Sequence, residues 1–376
     1  MNILILSSSE GISIGLLRCL SLQNAKGFVF SIWGTSRASK LSRYCRGYRS
    51  CPISEAQPDL SALVSNVDQY CRDHQIDLIL PAGILGTFIL AKIKNQLSGA
   101  AIFPMPSPEQ VRSLHNKWLF HQLMLNHGVP APDTYLIERE TALKELPLTF
   151  PVMLKPLALG NSEGVHRVDS LAELQHYQAT ANGSRAGRLP LLVQEFIPGS
   201  DIVFGIVAKD GKLLAWTMHE RKPDWLNFFK DEAILEHGRR FVAGYNFSGA
   251  ANFDVRIDEH TGRIAFIECN PRFWASTPLS VYYGVDVLHI GILAALGKPL
   301  PPHCKTGVDD LKQVPYPTPR RYLRGILTGD YPIRHFKRDL AWQALVDPLP
   351  MLKDILWDRL RLINLYDSAL IEQMSE

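Results

Sequence analysis

The sequence predicts an α/β unit on a parallel sheet, followed by an α+β unit built from antiparallel hairpins. Three observations carry this. Short apolar runs alternate with helical patterns through the first hundred residues, two turn-linked strand pairs stand close together further on, and the Pro-rich joint Met105-Pro106-Ser107-Pro108-Glu109 separates the two styles. A chain of 376 residues with 46% hydrophobic content holds two or three such units with ample core.

In the first unit Asn2–Leu6, Phe28–Trp33, Asp77–Leu80 and Ala101–Phe103 read as buried strands, and Gly15–Leu22 and Leu60–Arg72 carry apolar residues at helical spacing. Ser107-Pro108-Glu109 has the chemistry to open a helix, and a helical pattern over Val111–His127 stops at Gly128. Strands are expected at Phe150–Lys155 and Leu191–Phe196, with a Gly-rich loop, a helix near Leu171–Ala181 and the polar turn Asn182–Arg188 between them. Ile202–Ala208 and Leu213–Thr217 form a hairpin across Lys209-Asp210-Gly211, and Ala250–Ile257 with Arg263–Glu268 form a second across Asp258–Gly262. From about Pro301 the chain turns proline-rich, then basic (Arg320, Arg321, Arg324, Arg334, Lys337, Arg338). It ends in an amphipathic helix with Leu352, Ile355, Leu356, Leu360 and Ile363 on one face.

Composition excludes several classes. A formal net charge of +3 gives no dominant footprint for nucleic acid. The six cysteines (Cys19, Cys45, Cys51, Cys71, Cys269, Cys304) include no C-x-x-C pair and read as reduced, packed thiols. The opening MNILILSSSEG reads as a first strand instead of a signal peptide, and the uncharged stretch Leu78–Ala91 is too short to cross a bilayer, so a cytoplasmic setting is expected. Gly11-Ile12-Ser13-Ile14-Gly15 matches the G-x-S-x-G nucleophile elbow, but nothing upstream supplies an oxyanion loop; a turn glycine and a helix-packing glycine explain it.

Three constellations carry chemistry. In Glu268-Cys269-Asn270-Pro271-Arg272, an extended segment points Glu268 and Asn270 to one face, and Asp254 of the preceding strand lies across from them. Hard oxygen donors on a rigid sheet suit magnesium, and Arg272 follows on the same side to hold a transferring phosphoryl group. Lys155 ends a strand and is followed by a loop containing Gly160, Asn161, Ser162 and Gly164, whose backbone N–H groups can close over phosphates. The lysine precedes the loop, so this is not the Walker pattern. In Gln194-Glu195-Phe196-Ile197-Pro198-Gly199-Ser200-Asp201, a strand ends in free backbone groups that suit an adenine edge, and Asp201 can accept ribose hydroxyls. Taken singly, the first is explained equally well by a solvated strand face with an incidental Glu and Asn, the second by a surface loop after a strand, and the third by an ordinary strand end.

In this order and spacing the pieces resemble the ATP-grasp superfamily over about residues 1–300. The resemblance implies a pre-ATP-grasp α/β domain (1–108), an ATP-grasp domain (109–305) with lobes 109–196 and 197–305, and a basic extension (306–376) outside it. It implies that Lys117 and Lys155 bind nucleotide phosphates, with Lys155 and Arg272 at the reacting end. Gly160, Asn161, Ser162 and Gly164 form the phosphate loop, Gln194, Glu195 and Ile197 the adenine hinge, Asp201 the ribose ligand, and Asp254, Glu268 and Asn270 the ligands of two Mg2+ ions, with Mn2+ as a substitute. Gln194 and Asp201 depart from the usual glutamates but keep an oxygen acceptor, and Asn252 stands where D-alanine–D-alanine ligase has an arginine.

The implied reaction joins a small-molecule carboxylate to an amine through an acylphosphate, releasing ADP and phosphate. A non-catalytic, nucleotide-holding ATP-grasp module is the alternative, motivated by the same departures. His219 and Arg221 are read as ordinary polar residues ahead of a role at the reacting end. Homodimerisation is the default expectation, and for the tail, packing on the parent domain or a second subunit is preferred over membrane contact.

Overall fold

The computed structural model describes residues 1–33, 37–53, 59–139, 147, 149–157, 164–181, 189–223, 225–315, 328, 346–350, 371 and 374. The first domain runs β1 (Asn2–Ser7), α1 (Glu10–Leu22), β2 (Lys26–Ser31), β3 (Cys45–Ser50), α2 (Leu60–His74), β4 (Leu78–Ala82), α3 (Ile84–Ile93) and β5 (Ala101–Ile102). Its five strands pair in parallel in the order β3-β2-β1-β4-β5. Alternation along β1 decides which core each residue joins: Ile3 and Ile5 face α1, while Leu4 and Leu6 face α2 and α3. The apolar stretch from Leu78 is thus a strand, a turn at Gly83 and a helix buried all round, which leaves no periodicity to read.

The G-x-S-x-G motif lies inside α1. Ser13 is fully buried and donates to Ser7 Oγ at 2.7 Å, which suits packing and not catalysis. Gly15 is the packing glycine expected, since a Cβ there would lie 3.1 Å from Pro278. Gly11 is a helical residue, not the expected turn residue.

Ser107 opens α4 (Pro108–His115) through a reciprocal capping box with Gln110, with Pro108 in the first turn. The single helix expected over 111–127 is two. Asn116 leaves helical geometry (φ −77°, ψ 115°) and its side chain accepts from the N–H groups of Trp118 and Leu119, starting α5 (Lys117–Asn126).

The amino-terminal lobe comprises β6 (Thr134–Ile137), β7 (Val152–Pro156), β8 (His166–Val168), α6 (Leu171–Ala181) and β9 (Leu191–Glu195), with antiparallel order β6-β9-β7-β8. Its core is small: Ile137, Val152, Leu154, Val168, Leu174, Leu191 and Val193.

The carboxy-terminal lobe follows as β10 (Gly199–Lys209), β11 (Lys212–Arg221), β12 (Trp225–Phe228), α7 (Glu232–Gly244), β13 (Gly249–Asp258), β14 (Ile264–Asn270), α8 (Thr277–Tyr283), α9 (Val287–Ala295) and β15 (Lys312–Pro315). The sheet order is β14-β13-β10-β11-β12-β15. Both expected hairpins form, and at the first one Asp210 (φ 50°) and Gly211 (φ 72°) take the left-handed pair that a two-residue turn requires. Phe204, Phe241, Phe253 and Phe266 form its centre, and the same cluster runs through Phe103 into Ile3, Ile5 and Leu80 of the first domain.

The expected extension from residue 306 is not separate from the carboxy-terminal lobe: its β15 adds to the large sheet beside β12, whereas the described residues from 346 onward lie against the first domain. Buried Asp347 accepts from Ser42 Oγ and the Arg43 N–H, each at 2.8 Å, and pairs with Arg18 Nε at 3.3 Å. Ile371 is buried in the core beside α2 and α3, and Lys92 donates to the Met374 carbonyl. The basic segment 320–338 and the amphipathic face 352–363 lie outside the described residues. Among the described residues, no helix is long and apolar enough to cross a membrane.

Candidate active site

The face of the large sheet that looks toward the amino-terminal lobe is built in rows. Glu268 pairs with Asp254, then Val203, His219 and Phe228 follow across β10, β11 and β12. The adjoining row holds Asn270, Asn252, Gly205 and Thr217. Trp274 packs against Gly205, where a Cβ would sit 2.2 Å from the indole, so only glycine lets the chain after β14 fold back over the sheet.

Asp254 and Glu268 therefore stand side by side with Asn270 diagonal to Asp254, as the sequence led one to expect. Asn252 joins them, donating from Nδ2 to Asp254 Oδ1 at 3.4 Å while its own Oδ1 is buried with no hydrogen-bond partner among the described residues. The Asn252-x-Asp254 alternation was a readable signal for it. Arg272 donates to Asn270 Oδ1 at 3.1 Å and to the Phe273 carbonyl.

Two lysines reach this patch from other elements. The Asn116 cap sets Lys117 at the first position of α5, where it is buried and pairs with Glu268 Oε2 at 3.4 Å. Its backbone N–H also donates to the Leu157 carbonyl at 2.9 Å, tying α5 to the end of β7. Lys155 is buried beside β9 and donates to Gln194 Oε1 at 2.6 Å. Gln194 Nε2 passes the chain on to Thr134 Oγ1 at 3.0 Å, which donates to the Pro132 carbonyl at 2.9 Å. The amide that replaces the usual hinge glutamate is thus the neutral partner of Lys155, and Thr134, unread in the sequence, orients it.

The charges have unequal proton affinities. Burial, then the Glu268 charge and the hydrogen bond between the two carboxyls, push Asp254 well above the usual range. Burial would raise Glu268 as well, but the Lys117 and Lys155 charges and the bond with Asp254 outweigh it and bring it down to about 2. Burial lowers Lys155 to about 8, opposed by Glu268 and Asp254 and assisted by Lys117 and Arg256. His115, at the end of α4, is lowered to about 3 by burial and then by Lys117 and Arg272, so a neutral imidazole stands in the same field. No pattern marked it in the sequence. His219 is likewise lowered to about 3 by burial and Arg221, and its Nε2 lies 3.3 Å from Ser276 Oγ.

Two adjacent carboxylates that repel, an unpartnered amide oxygen and a second amide fit a hard divalent cation, which would remove the repulsion and use the free oxygen. Among the described residues no group of three His, Cys, Asp or Glu side chains is arranged for a metal, so a cation here would rely on amides, waters or substrate oxygens to complete its shell.

At the other end of the cleft, the Glu195 N–H donates to the Asp133 carbonyl at 2.8 Å and its carboxylate pairs with Arg263. Ile197 is buried. Asp201 is mostly exposed and lies 3.3 Å from Arg256 Nε. Gly160, Asn161 and Ser162 lie outside the described residues, while Gly164 is described, with φ 68° just ahead of β8.

Fold and site together give an antiparallel lobe and a large mixed-layer lobe that bring two lysines to a carboxylate pair, seated on a parallel-sheet domain. The chain is similar over part of its length to members of the ATP-grasp superfamily. A family model described as ATP-grasp in the biosynthetic pathway with Ter operon matches residues 188–314, and one described as D-ala D-ala ligase C-terminus matches residues 123–242. The chain is 25% identical over 193 residues to the carbamoyl phosphate synthase large chain of Thermoanaerobacter pseudethanolicus, covering 47% of this chain and 18% of that protein. It is 25% identical over 214 residues to the D-aspartate ligase of Enterococcus faecium, covering 49% and 50% of the two chains. In fold it resembles the biotin carboxylase domain of Hydrogenobacter thermophilus 2-oxoglutarate carboxylase, a dimer in complex with MgADP, ADP and bicarbonate, at a TM-score of 0.62 and 17% identity, over 80% of this chain and 70% of that one. The matched stretch therefore spans half or less of these two curated relatives.

Proposed function

We propose that the protein is an ATP-dependent carboxylate–amine ligase. The observation that carries this is the meeting of Lys117 and Lys155 with the Asp254/Glu268 pair in one cleft. The relation to D-aspartate ligase supports amide formation as the outcome. Residues 1–108 form the pre-ATP-grasp domain, 109–196 and 197–305 the lobes.

Nucleotide phosphates lie between Lys155, Lys117 and the sheet, and Gly160, Asn161, Ser162 and Gly164 are assigned to them as the phosphate-binding residues. The base meets the backbone of Glu195 and Ile197 beside Gln194, and the ribose meets Asp201. Asp254, Glu268, Asn252 and Asn270 would hold Mg2+, two ions with Mn2+ as a substitute, which would supply charge neutralisation for the phosphate oxygens. Arg272, already close to that edge, holds the phosphoryl group while a substrate carboxylate attacks the γ-phosphorus and ADP leaves. An amine then displaces phosphate from the acylphosphate to give the amide. The first step is mostly positioning and charge neutralisation, which suits a site without an activated nucleophile. A cytoplasmic homodimer acting on small molecules, with six free cysteines, fits this chemistry.

The test is a screen of amino acids and small carboxylates for phosphate release that requires both co-substrates, with hydroxamate formation when hydroxylamine replaces the amine. Glu268→Gln should lower turnover by about 100-fold. MgADP binding with no turnover for any acid would instead favour a nucleotide-holding module.

A further inference from the structure

Arg256 is assigned no part in that reading, yet it occupies the nucleoside end of the cleft. It lies on β13 two residues beyond Asp254, so the two side chains share a face of the sheet. Its register partner on β10 is Asp201. Its guanidinium also donates to the Gly199 carbonyl and stacks over the Phe196 ring at 5.4 Å, in the hinge between the lobes. Arg167 of β8 lies over the same ring at 4.6 Å, so one arginine from each lobe is seated on it. Although Arg256 Nε is 3.3 Å from the Asp201 carboxylate, the alignment makes no hydrogen bond, and this buried nitrogen has no other partner among the described residues.

We propose that Arg256 is a nucleotide-binding residue that holds Asp201 until a nucleoside arrives and then stacks against the base. This rests on the reading that phosphates lie at Lys155, Asp254 and Glu268 and the base at the hinge. A nucleoside joining those two points crosses Arg256. Its ribose hydroxyls compete for Asp201, which at 77% exposure is held only by a weak pair, so the exchange costs little. The released guanidinium already lies against an aromatic ring, and a purine entering beside Phe196 offers it a second π-face in a partly desolvated cleft.

The experiment measures MgADP affinity by titration calorimetry for the wild type, Arg256→Ala and Arg256→Lys, with magnesium tripolyphosphate as a probe that lacks base and ribose. MgADP should bind about 10-fold more weakly to Arg256→Ala, equivalent to about 1.4 kcal/mol. Arg256→Lys, which keeps the charge but loses the planar face, should fall between. Tripolyphosphate should bind all three alike, and in turnover the loss should fall on the KM for ATP more than on kcat. Unchanged or tighter MgADP binding in both variants overturns the proposal and leaves Arg256 as a structural partner of Asp201. Equal losses for MgADP and tripolyphosphate overturn the base contact. Failure of the wild type to bind MgADP at all is a different result, and it would remove the nucleotide site itself.

Discussion

The amino-terminal lobe and the body beneath it are built on different scales. Among the described residues the lobe's core has seven buried aliphatic side chains, whereas the body's runs unbroken from Ile3 of the first domain to Phe266 of the carboxy-terminal lobe and is centred on packed aromatic rings. Among the described residues, the ties between β6–β9 and the body include the Lys117–Leu157 backbone bond, the Glu195–Arg263 pair and the two arginines on Phe196. The metal-type donors belong to the large unit and Lys155 to the small one. In a cleft made this way local opening should cost least on the Lys155 side, where the described buried core is smallest.

The most direct way to break this comparison is to empty both cores. Phe253→Ala should cost about 4 kcal/mol and lower the stability of the first domain and the carboxy-terminal lobe together. Leu154→Ala should cost about 3 kcal/mol but raise exchange only in β6 to β9, as read by amide hydrogen exchange during denaturant titration. A single shared loss in both variants would merge the two regions. The tail belongs to the body, so Asp347→Ala, which strands the largely buried Arg18, should cost about 3 kcal/mol and leave the lobe's exchange unchanged.

The smallest effect concerns Lys155. Its folded value near 8 lies below the unfolded value of about 10.4, so the unfolded chain binds more protons between those limits and stability rises with pH across that window. Phosphates favour the charged lysine, so MgADP affinity should move the other way, falling up to about 10-fold per unit as pH rises above 8. Gln194→Glu puts a carboxylate against Lys155 and should shift the onset of that fall upward, with calorimetry from pH 7 to 9.5 as the check. A flat profile would mean that Lys155 keeps its proton throughout.

Much of this was readable because it repeats locally. Asp254, Glu268 and Asn270 share a face through strand alternation alone, and the two-residue turn at Asp210-Gly211 fixes its hairpin. Other elements gave no such signal. β3 is polar for a strand, α3 is apolar all round, and the break at Asn116 interrupts a pattern that continues on both sides. His115 and Thr134 reach the site only through contacts between elements far apart in the chain.

By itself the sequence determined the strand pairs, the alternation that aligns oxygen donors on one face, and the order of lysine, loop, hinge and acidic pair. Those features depend on neighbours a few residues apart. Only the tertiary structure decided that Gln194 holds Lys155, that Lys117 meets Glu268, that Arg256 bridges Asp201 to the hinge ring, and that the tail returns to the first domain. Each of these joins groups whose separation in sequence carries no information about their distance in space, and the packing of three cores sets that distance.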